Sequence, residues 1–197
     1  MLENLDIPGW MNGDERRELY ALAMSASGPI LEIGHFLGRS TACICAGIRD
    51  SGRTNVFRSY DLRFRTDEEF RAFYDNIHKR ETPVPELHRQ VFRNGRVSTD
   101  IARENLERRG LAGFVELVSG NFIDLDKDQY ALIFCDAVHE PNEIRHNLPH
   151  IMDRSMRPAI WAFHDMDTGN MALVVELSGA RQVVQVGSLG VFTWGDT

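Results

Sequence analysis

"LEIGHFLGRS", Leu31 to Ser40, decides the fold. Its start belongs to the apolar run "PILEIG", which reads as a buried parallel strand. Gly34 opens a turn. Residues 38–49, "GRSTACICAGIR", are small and apolar and suit a helix packed closely on a sheet. Strand, glycine turn and helix together are a common nucleotide-holding layout. The glycines nevertheless fit no common phosphate loop. A dinucleotide fingerprint is G-x-G-x-x-G, and its middle glycine lets the backbone approach a pyrophosphate. Here Gly34 and Gly38 bracket "HFL", and Phe36 stands in the middle place. No G-K-[ST] occurs, so a P-loop is excluded too.

Glu32 lies inside the strand, and a buried carboxylate is costly unless it is paired. It accepts hydrogen bonds from backbone amides or a cationic ligand, or it braces the turn. Asp61 ends the next strand, "TNVFRSYD". A carboxylate there, roughly 20 residues or more past a glycine turn, often holds ribose hydroxyls. A loop or helix-capping role is the alternative.

Outward from this turn the same alternation repeats. A helix is predicted over Asp14–Ser25, with Leu19, Leu22 and Ala23 inward and Gly28-Pro29 beyond it. Residues 62–97 interrupt the pattern as a helical insertion. Thr66 and Glu69 have capping-box spacing, and Phe70, Phe73, Tyr74 and Ile77 follow at helical spacing. "TPVP" breaks that helix, and a shorter one reaches Gly95. "STDIARENLERRG" is a helix capped by Ser98 or Thr99. "FVELVSGN", "YALIFCDAVH" and "PAIWAFHD" are strands. "EPNEIRHNLPHIM" is a helix with Pro141 near its start and Ile144, Leu148 and Ile151 on one face. Met171–Leu177 is a helix, and "RQVVQVG" and "LGVFTW" close the chain as antiparallel neighbours.

The fold class is therefore α/β: a Rossmann-like, doubly wound, mostly parallel seven-stranded sheet with an antiparallel last strand pair, in one domain over residues 1–197. Such sheets bind ligands at the carboxyl ends of their strands. Those ends carry Gly34, Asp61, Asn121, Asp136 and His164-Asp165.

Composition narrows the partners. Across 197 residues, 22 basic against 29 acidic side chains leave a net charge of −7. That argues against nucleic acid, which needs a cationic face, and fits a small-molecule ligand. Cys43, Cys45 and Cys135 sit in apolar segments and read as reduced core thiols of a cytoplasmic protein. "MLENLDIPGW" lacks the basic start and apolar run of a signal peptide, and no apolar run approaches membrane-spanning length.

"IFCDAVHE" and "AFHDMD" carry the candidate chemistry. Their strands should be neighbours about 4.8 Å apart, which places Asp136 and Asp165 at one sheet edge. Two such carboxylates repel unless something positive bridges them. Mg²⁺ or another divalent cation would do so, or Asp136 is a helix-capping acid. His164 suits a transition metal better than Mg²⁺, and it is equally read as a supporting group or a substrate contact. His146 and His150 lack an H-E-x-x-H context and read as a surface face.

The combination E-x-G-x-x-x-G-x-S followed by Asp61 resembles class I S-adenosylmethionine-dependent methyltransferases. Within them it resembles the metal-dependent O-methyltransferases of the catechol, caffeoyl-CoA, macrolide-sugar and cephamycin type, over roughly residues 29 to 194. The resemblance implies that Glu32 and Gly34 lie by the methionine end of the cofactor and that Ser40 meets its carboxylate. His35, Phe36 and Gly38 complete the cofactor turn, with no separate role for His35. Asp61 would hold the ribose, and Asn121 and Asp136 would complete the cofactor contacts. Asp136, His164 and Asp165 would be the metal positions and His139, three residues after Asp136, the general base; an exposed loop histidine is the alternative. An imidazole suits proton removal near neutrality.

The implied reaction is methyl transfer to a hydroxyl of a small molecule. The insertion aromatics Phe70, Phe73 and Tyr74 would cap the pocket, or form their helix's core face. Arg63 and Arg65 would meet an acidic substrate group or stay solvated. Alternatives on this fold are a metal-independent methyltransferase and a non-catalytic binding protein. A homodimer is a common default.

Overall fold

A computed structural model describes residues 5–195; residues 1–4, where the amino-terminal stretch read above begins, and residues 196–197 lie outside it. Seven strands form one sheet in the order β3-β2-β1-β4-β5-β7-β6. They are β1 (Ile30–Ile33), β2 (Phe57–Asp61), β3 (Glu116–Ser119), β4 (Tyr130–Cys135), β5 (Ser155–Phe163), β6 (Arg181–Val186) and β7 (Leu189–Trp194). The first five run parallel, and β7 lies antiparallel between β5 and β6. The winding reverses between β1 and β4. Their carboxyl ends therefore open a crevice there, where such sheets hold ligands.

β1 is buried along its whole length. Successive side chains point to opposite faces, so Ile30 joins one core and Leu31 and Ile33 the other. The first core packs β1 and β4 against α1 (Gly13–Ser25) and α2 (Arg39–Ser51), with Leu106 of α5 (Ser98–Glu107). The second packs the opposite face against α7 (Pro141–Asp153) and α8 (Thr168–Ser178), which supply Ile144, Leu148, Ile151, Met171 and Val174. All three cysteines are free and buried. Among the described residues no helix is long and apolar enough to cross a membrane.

Several helices begin where a side chain satisfies their first amides. Asn12 caps α1 in a reciprocal capping box with Glu15, one residue earlier than the helix read from sequence. Leu19 and Ala23 of α1 are buried as expected, while Leu22 is partly exposed against the same core. In the insertion, α3 (Asp67–His78) is capped by Thr66, which accepts from the Glu69 amide. The Glu69 carboxylate returns to the Arg65 amide at 2.7 Å rather than to Thr66. The shorter helix, α4, is Glu86–Arg93. α5 departs from expectation: Val97 occupies its cap position with no side-chain bond. Ser98 and Thr99 are committed elsewhere, as shown below. A one-turn helix α6 (Phe122–Leu125) was not foreseen; it is too short to show a period.

α2 sits tightly on α1. A Cβ on Gly47 would lie 2.6 Å from the Tyr20 carbonyl oxygen and 2.9 Å from the Met24 nitrogen. Both neighbours are backbone, so they cannot swing aside. Gly47→Ala should therefore lower stability by about 1–3 kcal/mol despite alanine's better helix propensity. Urea unfolding is the measurement, and an unchanged or higher midpoint would contradict the close packing.

Candidate active site

The glycine turn is fixed from three sides. Gly34 has φ +92°, and a Cβ there would lie 2.9 Å from the Asp136 carbonyl oxygen. Phe36 is a non-glycine residue with φ +43°. Its amide donates to the Asp61 carboxylate, which compensates this strained conformation. From above, Asn105 of α5 donates to the Leu37 carbonyl at 3.0 Å.

Beneath the turn runs a polar seam. Glu32 is wholly buried. It accepts from the hydroxyls of Ser40 at 2.5 Å, Thr41 at 2.7 Å and Ser59 at 2.5 Å. The β1–β2 register sets Glu32 opposite Ser59. Burial pushes the Glu32 carboxyl up to about 7, against the pull of the three hydroxyls. His35 continues the seam: Nδ1 lies 2.9 Å from Ser59 Oγ and Nε2 3.0 Å from Thr99 Oγ1. Thr99 in turn lies 3.0 Å from Ser119. Because Ser59 spends its proton on Glu32, His35 donates through Nδ1 and accepts through Nε2. Burial pulls the His35 pKa down to about 3, so the ring is neutral.

Above the turn lies a cavity of about 360 Å³. Gly34, Phe36, Asp61, Asn121 and Asp136 line it at the strand ends. The insertion walls it with Phe64, Phe70, Phe73, Tyr74 and His88, and Trp10 joins from the amino-terminal side. His88 stacks on Phe36 with centroids 4.3 Å apart. Its Nδ1 is buried without a partner among the described residues, and burial lowers its pKa to about 4. Asp61 faces this space, with its pKa pushed up to about 7 by burial and by the charge of Asp136, against the Phe36 amide and the Ser98 hydroxyl. Asn121 uses its side-chain oxygen to cap α6 at the Ile123 amide. No lysine or arginine lines the cavity among the described residues, so Arg63 and Arg65 lie outside it.

Asp136 is the hub of the charged end. Its Oδ1 lies 3.1 Å from His139 Nε2 and 3.1 Å from His164 Nδ1. His164 is buried, with Nδ1 3.4 Å from Asp165 and Nε2 3.3 Å from Glu15. Burial opposes its charge, but bonding to Asp136 and the charges of Asp136, Asp165 and Glu15 raise it to about 9. His139 lies 3.2 Å through Nδ1 from Glu143, whose carboxylate also takes the His139 amide at 2.7 Å. Against burial, Asp136 and Glu143 raise His139 well above its ordinary value. The bonds to the two imidazoles hold the Asp136 carboxyl below the usual range despite its burial. Asp165 sits at φ +56°, a left-handed conformation rare outside glycine, which accompanies functional sites.

The structure thus gathers Gly34, Phe36, Asp61, Asn121, Asp136, His139 and Asp165 around one cavity. It turns Glu32, His35 and Ser40 inward beneath it; the Ser40 hydroxyl faces Glu32. Gly38, at φ +90°, packs its Cα against Ala102 of α5. His164 lies behind the two aspartates, and His139 instead joins them, with ligand atoms of Asp136, His139 and Asp165 within 4.8 Å of one another. Sequence reading missed Glu143, His78, Glu15 and His88. Only Glu143 left a signal, four residues past His139 on the first turn of α7.

A methyltransferase-domain family model matches residues 31–166, the span from the glycine turn to the second acidic strand end. The chain belongs to that family. Three solved structures share its fold. Cofactor-bound Rv0187 from MTB is 17% identical with a TM-score of 0.61, over all of this chain and 87% of that one. A putative O-methyltransferase from Klebsiella pneumoniae is 17% identical with a TM-score of 0.59, over 100% and 86%. The O-methyltransferase TomG from Streptomyces achromogenes, in complex with SAM, is 17% identical with a TM-score of 0.56, over 93% and 79%. No curated protein matches the chain in sequence. The class I methyltransferase fold expected from the glycine turn is the fold observed.

The neutral, buried His35 has a pH signature. Its folded pKa is depressed, so the unfolded chain binds its proton first as pH falls below about 6.5, and folding loses that contribution toward pH 3. His35→Gln keeps polar atoms but cannot titrate. At pH 7 it should be less stable than wild type by about 1–3 kcal/mol. That deficit should shrink by about 2 kcal/mol at pH 4.5. Urea unfolding at both pH values decides it; a deficit independent of pH would mean that burial leaves the His35 pKa at its unfolded value.

Proposed function

We propose that this chain transfers a methyl group from S-adenosylmethionine to a hydroxyl of a small molecule. The observation that carries this reading is one cavity with two chemically distinct ends. At one end the Asp61 carboxylate, held by the Phe36 amide, faces the space beside the glycine turn. At the other stand Asp136, His139 and Asp165. The cofactor, when bound, supplies a methyl group on a sulfonium. Asp61 accepts the two ribose hydroxyls. Gly34 leaves the turn open where a side chain would press on Asp136.

At the other end, His139 is the base. Glu143 fixes its Nδ1, which leaves Nε2 toward the cavity for the acceptor's proton. In the free protein that nitrogen already bonds Asp136, so His139 is protonated near neutrality and turnover rises into alkaline pH. The aromatic wall excludes water and stacks a planar acceptor. With carboxylates and, among the described residues, no lysine or arginine around the cavity, the acceptor is neutral or cationic rather than acidic. His88 Nδ1, buried and without a partner among the described residues, is placed to bond a polar group of that acceptor.

Asp136 and Asp165 would hold a divalent cation, which when bound would polarise the acceptor hydroxyl, while His139 keeps Nε2 for the acceptor's proton. Two carboxylates suit a hard cation such as Mg²⁺. A metal-independent variant of the same reaction is favoured by a different observation. His164, charged at neutral pH, bonded to Asp136 and within 3.4 Å of Asp165, already supplies the positive bridge that two adjacent carboxylates need.

Thermal shift should show stabilisation by S-adenosylmethionine and S-adenosylhomocysteine but not by NAD. Asp61→Asn should weaken both cofactor forms by about 10- to 100-fold. Wild-type affinity should fall between pH 8 and pH 6 as Asp61 protonates, and this dependence should vanish in Asp61→Asn. Absence of any shift with either sulfur ligand would refute the reading. In a screen of hydroxylated aromatics, His139→Ala should reduce turnover by about 10²- to 10⁴-fold. Chelator sensitivity separates the metal-assisted from the metal-independent variant.

A further inference from the structure

The insertion does more than wall the cavity. At the last residue of α3, the His78 side chain is 6% exposed. Its Nε2 lies 2.8 Å from Glu143 Oε1, and its Nδ1 lies 3.1 Å from Thr82 Oγ1. Thr82 is itself held, with its amide donating to Asp75 at 2.6 Å. Glu143 is 2% exposed, and its other oxygen takes the amide of His139 and faces His139 Nδ1. His78 and Glu143 lie 65 residues apart in sequence, so the tie exists only when α3 is docked on α7. Two further contacts run alongside it: Arg80 pairs with Glu140, and Asn142 reaches the His78 carbonyl at 3.5 Å.

A buried carboxylate with one oxygen unpaired would rotate toward water or take up a proton. Either change would release Nδ1 of His139, and with it the ring's orientation. We infer that His78 is a positioning residue: it saturates the far oxygen of Glu143 and so locks the near oxygen on His139 when the insertion closes over the cavity. The base is then aligned only in the closed enzyme. This inference rests on His139 being the base proposed above. His78 touches neither the cavity's acidic pair nor the cofactor end.

The two nitrogens of His78 allow a discriminating pair of variants. In His78→Gln the side-chain amide reaches the Nε2 position and keeps the donor to Glu143. In His78→Asn the amide reaches only the Nδ1 position, keeps Thr82 and loses Glu143. The readout is the imidazole region of the nitrogen-correlated NMR spectrum of histidine-labelled protein, with the His139 Nδ1–H signal assigned by its loss in His139→Gln. That carboxylate-bonded proton should be visible in wild type and in His78→Gln. It should be lost or exchange-broadened in His78→Asn and in His78→Leu, and these two are made together so that failure of one to fold leaves the other. A wild-type His139 signal in His78→Asn overturns the proposal, as does absence of that signal from wild type. With the acceptor found in the hydroxylated-aromatic screen, His78→Asn should lower kcat about tenfold or more and leave the cofactor KM within twofold. A loss confined to acceptor KM would mean that His78 merely shapes the pocket, and would also overturn it. Unchanged turnover in His139→Ala would instead sink the base assignment, and this proposal with it.

Discussion

A carboxylate buried in the central strand sets the terms for everything above it. Taking a lone charged carboxylate out of water costs several kcal/mol, and its partners must offset that cost. Glu32 meets part of it with three hydroxyls, each worth about 1.5–3 kcal/mol when bonded to a charge, and burial still raises its pKa to about 7. Those hydroxyls can be supplied only if the first turn of α2 sits directly over β1 and β2 lies in register with Ser59. The demand reaches further, because Ser59 then becomes an acceptor for His35, and His35 for Thr99. One buried charge thereby fixes the height of α2, the register of β2 and the seat of α5. The glycine turn that emerges between them has little freedom left. Its Phe36 amide is delivered to Asp61, and the cofactor end of the cavity takes shape.

This explains what could be read from sequence and what could not. Strand, turn and helix alternate locally, and apolar runs such as "YALIFC" and "AIWAF" announce buried parallel strands without tertiary information. The acidic strand ends were legible because position in a doubly wound sheet already says where they must point. The partners of Glu32 were not. Ser40 looked like a cofactor contact because it opens a helix after a glycine turn, and only the β1–α2 packing shows its hydroxyl directed at Glu32. Ser98 and Thr99 looked like helix caps, but bonds to Asp61 and His35 outcompete that local role. The ties from His78 to Glu143 and from Glu15 to His164 span 65 and 149 residues, and no periodicity connects their ends.

The histidines show how environment assigns roles to one side-chain type. His35 has only hydroxyls around it and is held neutral; it transmits a hydrogen-bond direction and carries no charge. His164 sits among Glu15, Asp136 and Asp165 and is held charged, so it acts as an internal counter-ion at the edge where two carboxylates converge. His139 shares the same acidic field but lies about a third exposed on the cavity wall. Of these three it combines an Nδ1 beside Glu143 with a place on the cavity wall. Proton affinity by itself would not separate His139 from His164, since both are raised. Access and a second anchoring carboxylate do.

The insertion gives the two ends of the cavity a common control. Its aromatics Phe70, Phe73 and Tyr74 form a helix face that could have made a small private core, yet they line the cavity. A segment too short to build its own core must borrow one, and here it borrows the mouth of the active site. Its docking is then only as stable as the contacts it makes there: the stacked ring of His88 on Phe36 beside the glycine turn, and His78 hydrogen-bonded to Glu143 beside the proposed base. Filling the cavity with a planar acceptor adds apolar contact to the same face and so favours the docked state. On the proposed reading, closure over substrate and alignment of the base would follow from one packing event, because the cavity-lining aromatics and His78 lie on the same helix.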